Sequence, residues 1–162
     1  MIREACSEDC VNLAALSLNV WLQTYAIDGI RAEVSNYALS TFTENYFIGL
    51  LNQKNLRLLV DVESDYLRGY ALLNLTSTFE TRENGFEIER LYVDSHFQGK
   101  GTGRKLLSEI GVRYGTTFWL YTWIRNNSVG FYKKNGFKEI GRYDFKFGDE
   151  LIENYVLLND GR

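Results

Sequence analysis

Apolar positions recur along this chain with two different periods, and the switches between them divide it into elements. Residues Ile2 to Ala5 read as a short strand, after which Ser7 stands as an N-cap with Glu8 and Asp9 in the first turn of a helix, where the dipole favours acidic groups. Val11, Ala14, Ala15, Leu18, Leu22 and Tyr25 follow at helical spacing, which predicts an amphipathic helix to about Tyr25, broken at Asp28-Gly29. A second helical region is expected between Ile30 and Gln53, with Thr43 capping the stretch from Glu44 to Leu51. At Leu56 the period changes. Leu56 to Val62 is short and partly β-branched, Glu63-Ser64-Asp65 turns the chain back into Leu67 to Leu75, and the polar link Thr81 to Gly85 leads into Phe86 to Val93. Three successive strands with short links predict an antiparallel meander.

After the meander the pattern changes again. A glycine-rich turn from Gly99 to Gly103 opens a helix whose Leu106, Leu107 and Ile110 form an apolar stripe to about Tyr114. A strand from Phe118 to Ile124 comes next, then a helix from Asn127 to Lys134 that stops at Asn135-Gly136, a left-handed terminator. Two last strands, Phe137 to Phe147 and Glu150 to Leu158, meet at Gly148-Asp149. The order predicts an α/β chain of the α+β kind, with seven strands and about four helices, and 162 residues without a repeat or linker fit one domain, 1–162.

Composition narrows the chemistry. Hydrophobic residues at 45% and charged residues at 24% are globular values, and the 15% aromatic share favours strands. No apolar run approaches a bilayer span and the N-terminus has no apolar signal core, so no membrane association is expected and the working compartment is read as the cytoplasm. Cys6 and Cys10 with the single His96 supply too few ligands for a metal site, and the cysteines are read as packing residues. A net charge of −3 argues against a nucleic-acid partner, which calls for a basic field.

The strongest chemical signal is the run from Leu91, Tyr92 and Val93 through Gln98, Gly99, Lys100, Gly101, Thr102, Gly103 and Arg104, a strand passing through a loop into a helix. Glycines let the backbone approach a ligand closely, and the free N–H groups and dipole of a helix N-terminus favour an anion such as a pyrophosphate, with Lys100 and Arg104 adding charge. A Walker loop needs Ser or Thr after Gly-Lys, but Gly99-Lys100 precedes Gly101; the dinucleotide fingerprint needs glycine where Arg104 stands. What remains, Gln98-x-x-Gly101-x-Gly103, resembles the Q/R-x-x-G-x-G/A signature of the GNAT N-acetyltransferases. A second segment, Asn126-Asn127-Ser128-Val129-Gly130-Phe131-Tyr132-Lys133-Lys134-Asn135-Gly136-Phe137, is similar to that family's other recurrent stretch.

The element order matches the GNAT order over nearly the whole chain. The resemblance implies a central mixed, mostly antiparallel, seven-stranded sheet, acetyl-CoA as cosubstrate with no metal, a primary amine as partner, and it allows a homodimer. The cofactor would be held by the residues of the glycine run, by Phe131, Tyr132 and Lys134, and by Asn126 or Asn127, with Asn127 preferred. The family's splay between the strand of Leu91 to Val93 and that of Trp119 to Thr122 would take the pantetheine arm, with the Val93 N–H as oxyanion donor. Tyr132 matches the tyrosine that protonates the departing thiolate, a role open to a phenol that is neutral at physiological pH. Glu89, the Trp21-to-Tyr25 region and the ending Phe145 to Glu150 resemble bacterial polyamine acetyltransferases. Glu87 and Glu89, two apart, share a face with Leu91 and Val93 on a regular strand. Glu89 matches the position where polyamine acetyltransferases place a carboxylate near the amine, which implies that it takes the proton directly or through water, with Glu87 or water alone as the alternatives. Three functions fit: acetylation of a polyamine or similar amine, acetylation of a protein N-terminus or lysine, and coenzyme A binding without turnover. Tyr132 and the intact loop favour the enzymes.

Overall fold

The computed structural model describes residues 1–162. After the short strand β1 (Ile2–Glu4), the chain makes one 3-10 turn and then helix α1 (Cys10–Tyr25). The cap of this entry is Cys6 rather than Ser7: the Cys6 N–H donates to Asp9 Oδ2 at 2.8 Å, and Arg3 grips the same carboxylate at 2.7 and 3.0 Å. The apolar phase of α1 also differs from expectation. Val11 and Ala15 face outward, whereas Leu13, Leu16, Ser17 and Trp21 are buried, because the helix packs on both the sheet and a neighbouring helix and so needs a wider buried arc. Ser17 is tolerated there because its hydroxyl bonds Leu13 O and the Tyr70 hydroxyl. Of the two cysteines, only Cys10 is buried.

The region up to Gln53 holds two helices, not one, which brings the total to five: α2 (Ala32–Thr41) and α3 (Glu44–Leu51). Thr43 separates them, its hydroxyl accepting from the Tyr46 N–H at 3.2 Å, a cap that stabilises by about 1 kcal/mol. Strands β2 (Leu56–Glu63), β3 (Tyr66–Asn74) and β4 (Phe86–Val93) form the expected meander. They are followed by α4 (Thr102–Tyr114), β5 (Phe118–Trp123) and α5 (Ser128–Lys134). The two last strands predicted are four: β6 (Lys138–Arg142), β7 (Phe145–Phe147), β8 (Glu150–Ile152) and β9 (Asn154–Asn159). The break falls where Asp144 Oδ1 accepts from the Asn154 N–H at 3.1 Å, so that β7 and β8 leave the sheet as a separate two-stranded ribbon.

The main sheet has seven strands in the order β1-β2-β3-β4-β5-β9-β6, antiparallel throughout except for β4 beside β5. Two apolar clusters cover its faces. One packs α1, α2 and α3 over Leu58, Val60, Tyr70 and Leu72, and the other packs α4 and α5 over Leu59, Ala71, Leu73, Ile88 and Leu157. No helix is long and apolar enough to cross a membrane.

Candidate active site

β4 and β5 pair at only two positions, Phe86 with Phe118 and Glu87 with Trp119. Beyond them the strands part, while β5 stays paired with β9 as far as Trp123. A cleft of about 1490 Å³ follows the gap, larger than a usual single-ligand pocket of roughly 300–1,000 Å³ and thus roomy enough for two reactants. At one end lies the glycine loop. Gly101 has φ +90° with open space where a side chain would stand, a conformation that favours glycine. The first bond of α4 is Lys105 N–H to Gly101 O, which leaves the amides of Thr102, Gly103 and Arg104 directed out of the helix end. Gly103 is required for a different reason: a Cβ there would stand 2.9 Å from the Phe131 ring, so this glycine lets α5 close on α4. Gln98 Nε2 donates to Val93 O at 3.2 Å and ties the loop to the end of β4.

Of the residues expected to hold the cofactor, all but Lys100 line this cleft. Lys100 turns aside, with its ammonium 5.4 Å from the Phe97 ring. Asn126 and Asn127 both reach the cleft wall, but Asn126 Oδ1 accepts from the Ser128 N–H at 2.9 Å and is occupied in starting α5, whereas the Asn127 side chain makes no capping bond. Tyr132 is buried between Phe131 and Phe137, with ring centroids 5.3 Å away on each side. Burial raises its pKa well above that of an ordinary phenol. His96 lies in the loop, hydrogen-bonded to Asp94 at 2.8 Å and not part of the cleft wall.

The strand bearing the two glutamates does not alternate regularly. The register shifts between Leu72 and Leu73, whose partners are Arg90 and Ile88, so Glu89 is the extra residue of a β-bulge. The bulge reverses the phase: Phe86 and Ile88 face α4, but so does Leu91, and Glu87 therefore lies on the opposite face from Leu91 rather than beside it. Glu87, Arg90 and Tyr92 look toward α1 and α3. Glu87 is 7% exposed, and burial pushes its pKa up, with Glu89 adding to the rise. Glu89 is exposed and accepts from Asn74 Nδ2 at 2.9 Å. Tyr121, facing the pair from β5, is pushed up to about 12, first by burial and then by Glu87.

Aromatic side chains wall this half of the cleft. Trp21 stacks on Tyr37 with centroids 4.3 Å apart, Tyr25 on Trp123 at 5.3 Å, and Phe79 leans on Trp119 at 5.6 Å. The β7–β8 ribbon reaches over the opening, placing Phe147 against Trp21 and Tyr37 at 6.0 and 5.7 Å and joining Glu150 to Arg31 by an ion pair.

The model of the acetyltransferase (GNAT) domain family matches residues 57–139, just over half of the chain and the part that holds β4, the glycine loop, α4, β5 and α5. The chain belongs to the GNAT acetyltransferase family. It is thus an acetyl-CoA-dependent N-acetyltransferase. The uncharacterized N-acetyltransferase of the pepI 3′ region of Lactobacillus delbrueckii subsp. lactis is 24% identical over 96% of this chain and 94% of that protein. Among solved structures, the PaiA N-acetyltransferase of Thermoplasma acidophilum in complex with coenzyme A is similar with TM-score 0.78 and 21% identity, over 98% of this chain and 97% of that one. The putative acetyltransferase YncA of Salmonella typhimurium with its cofactor acetyl-CoA is similar with TM-score 0.65 and 24% identity, over 100% and 94%.

The sequence had singled out most of the residues that line the α4 half of the cleft, and few of those that line its aromatic half. Glu87 was one of two glutamates in view, but only the bulge and the burial separate them. Arg90, Tyr37, Phe79 and Tyr121 gave no spacing signal, since each comes from a different element or is set by the bulge.

Proposed function

We propose that the cleft takes acetyl-CoA from the α4 side and a primary amine from the aromatic side, and that Glu87 and Tyr132 move the protons of acetyl transfer. The observation that carries this reading is the parting of β4 from β5 after two paired positions, with the open amides of α4 at one end of the gap and a buried carboxylate at the other. The pyrophosphate would sit on the amides of Thr102, Gly103 and Arg104, with the Asn127 amide and Lys134 along the arm. The Val93 N–H would face the thioester oxygen as charge develops on it. An acceptor arrives as an ammonium; Glu87, whose raised pKa makes it a better base than an ordinary carboxylate, takes its proton directly or through water. The freed nitrogen lone pair attacks the carbonyl carbon, the nitrogen of the tetrahedral intermediate gives up its second proton to solvent, and the C–S bond breaks. Tyr132, neutral because burial holds its pKa high, gives its proton to the sulfur. The products are an amide and coenzyme A, and Glu89 at the opening draws the cation in.

A polyamine acceptor is a second reading. It is favoured by Glu87 and Glu89 standing together in no ion pair. Thiol release from acetyl-CoA, followed over a panel of amines in wild type and Glu87→Gln, tests the proposal. Turnover should fall by on the order of 10²-fold in the variant while acetyl-CoA still binds. Retained turnover would return the base role to Glu89 or to water, and thiol release no faster than hydrolysis with every amine would leave only cofactor binding.

A further inference from the structure

Three buried side-chain nitrogens in the molecule find no hydrogen-bond acceptor: Trp21 Nε1, Arg90 Nη1 and Trp119 Nε1. All three residues line the same cleft. Buried polar groups are normally satisfied within a protein, so their gathering in one place points to a ligand, and all three are donors. A ligand that answers them must bring oxygen acceptors.

Arg90 is the one that carries charge. It sits in β4 on the acceptor face, and the nine ion pairs of the molecule do not include it. The rings of Phe42 and Tyr46 lie 5.1 and 5.4 Å from its guanidinium carbon, and its polar neighbours are the hydroxyls of Tyr46, Tyr70 and Tyr92. The Tyr70 hydroxyl is already engaged at 2.6 Å by Ser17 Oγ. Cation–π contacts return part of what a desolvated cation loses. They leave Nη1 without an acceptor, and tyrosine hydroxyls supply no counter-charge to the guanidinium, whose desolvation is costly unless an anion answers it. The donor's pyrophosphate is not that counter-ion, because the open amides of α4 lie past the end of β4 on the α4 side, and Arg90 looks the other way.

Resting on the reading of the cleft as the transfer site, we infer that Arg90 receives a carboxylate of the acceptor, so that the amine acetylated belongs to an amino acid or short peptide rather than to a polyamine. Glu87 and Arg90 oppose Asn74 and Leu72, two residues apart on β3, which at about 3.3 Å per residue puts their backbones about 7 Å apart on one face. With both side chains reaching inward, the ammonium of a dipeptide or the side-chain ammonium of lysine faces Glu87 while the carboxylate meets Arg90 in a two-pronged hydrogen bond. A protonated polyamine offers only N–H donors and satisfies neither Arg90 nor the two indoles.

The experiment compares matched acids and amides: Ala-Ala against Ala-Ala amide, lysine against lysinamide, and spermidine, by thiol release in wild type, Arg90→Met and Arg90→Lys. Wild type should prefer at least one acid over its amide by on the order of tenfold or more in kcat/KM, and the ratio should collapse toward one in Arg90→Met. Arg90→Lys, which keeps the charge without the fork, should hold an intermediate ratio. Calorimetric titration of the same acids into protein saturated with coenzyme A gives a readout independent of turnover. Binding that Arg90→Met abolishes supports the carboxylate site even where thiol release is absent, an outcome that would sink the transfer reading alone. Equal use of acid and amide by wild type, a preference that survives in Arg90→Met, or spermidine outrunning both acids would overturn the inference.

Discussion

The two ends of the cleft are built from different materials. At the end proposed for the donor the groups on offer are largely backbone: the open amides of α4, the unpaired edge of β4 where it leaves β5, and Gly101 at positive φ. At the acceptor end they are side chains, drawn from α1, α2, β4, β5 and the β7–β8 ribbon and held by ring against ring. A backbone site serves one invariant ligand and depends on a few glycines at fixed spacing. A side-chain site can be retuned one residue at a time, and its parts need no fixed separation in sequence.

That contrast can be broken first at Tyr132, which stands between the ends. Tyr132→Phe keeps the ring packed against Phe131 and Phe137 and removes only the proton donor, so kcat should fall by on the order of 10²-fold while acetyl-CoA binding measured by calorimetry changes little. A kcat within about threefold of wild type would mean that another group protonates the thiolate.

Next come the two glycines, which sharpen the comparison because they fail differently. Gly101→Val forces a branched residue into positive φ and puts its side chain in the ligand's space, so the KM for acetyl-CoA should rise by about tenfold or more. Gly103→Val presses on Phe131 and should show itself first as a lower melting temperature, since α5 must shift away from α4. Equal losses of stability in both would erase the distinction between a cradle and a packing glycine.

At the acceptor end, Phe147→Ala removes the ribbon's hold on Trp21 and Tyr37. The KM for the amine should rise by a few-fold, roughly what the loss of partly exposed aromatic contacts produces, with the KM for acetyl-CoA unmoved. A matching rise in both constants would show that the ends are coupled.

The smallest effect expected is on stability against pH. The folded pKa of Glu87 is raised by burial, so the folded state holds this proton more tightly than the unfolded chain does. Stability should therefore decline as pH climbs from the ordinary carboxylate value of 4.5 through the raised one. Glu87→Gln should flatten that decline, and denaturant midpoints across this range would reveal it. In the same window the wild-type kcat/KM should rise with pH as Glu87 loses its proton, opposite in direction to stability.

What the sequence made legible follows the same division. The meander, the glycine loop with its helix and the Asn-Gly stop after α5 depend on local rules: period, turn chemistry and caps. They stand where the pattern put them. The splitting of the last two strands at Asp144 and Asn154 depends on a bond between residues ten apart in a sheet not yet formed, and no period reveals it. The face of Glu87 was misjudged for a similar reason: alternation assumes an unbroken ladder, and the bulge at Glu89 is fixed by how β3 and β4 pair rather than by β4 alone. Lys100 was expected beside a pyrophosphate on its charge alone, and a charge does not say which way a long side chain turns: its ammonium lies over the Phe97 ring, off the cleft wall.

The bulge has a consequence for how such a protein can change over generations. Glu87, Glu89 and Arg90 fall within four consecutive positions, and the inserted residue frees Glu87 and Arg90 from the side of the sheet that Ile88 and Leu91 hold for α4. Substitutions at those three positions alter charge in the acceptor pocket without thinning the layer beneath the coenzyme, so a lineage can try new amines while its grip on the donor is inherited intact. Forcing the extra residue into the ladder would undo this: with Glu89 paired in strict alternation, either Arg90 would come round toward α4 or Ile88 would enter the pocket, whereas a lost codon at Glu89 would leave both faces as they are and remove only the bulge.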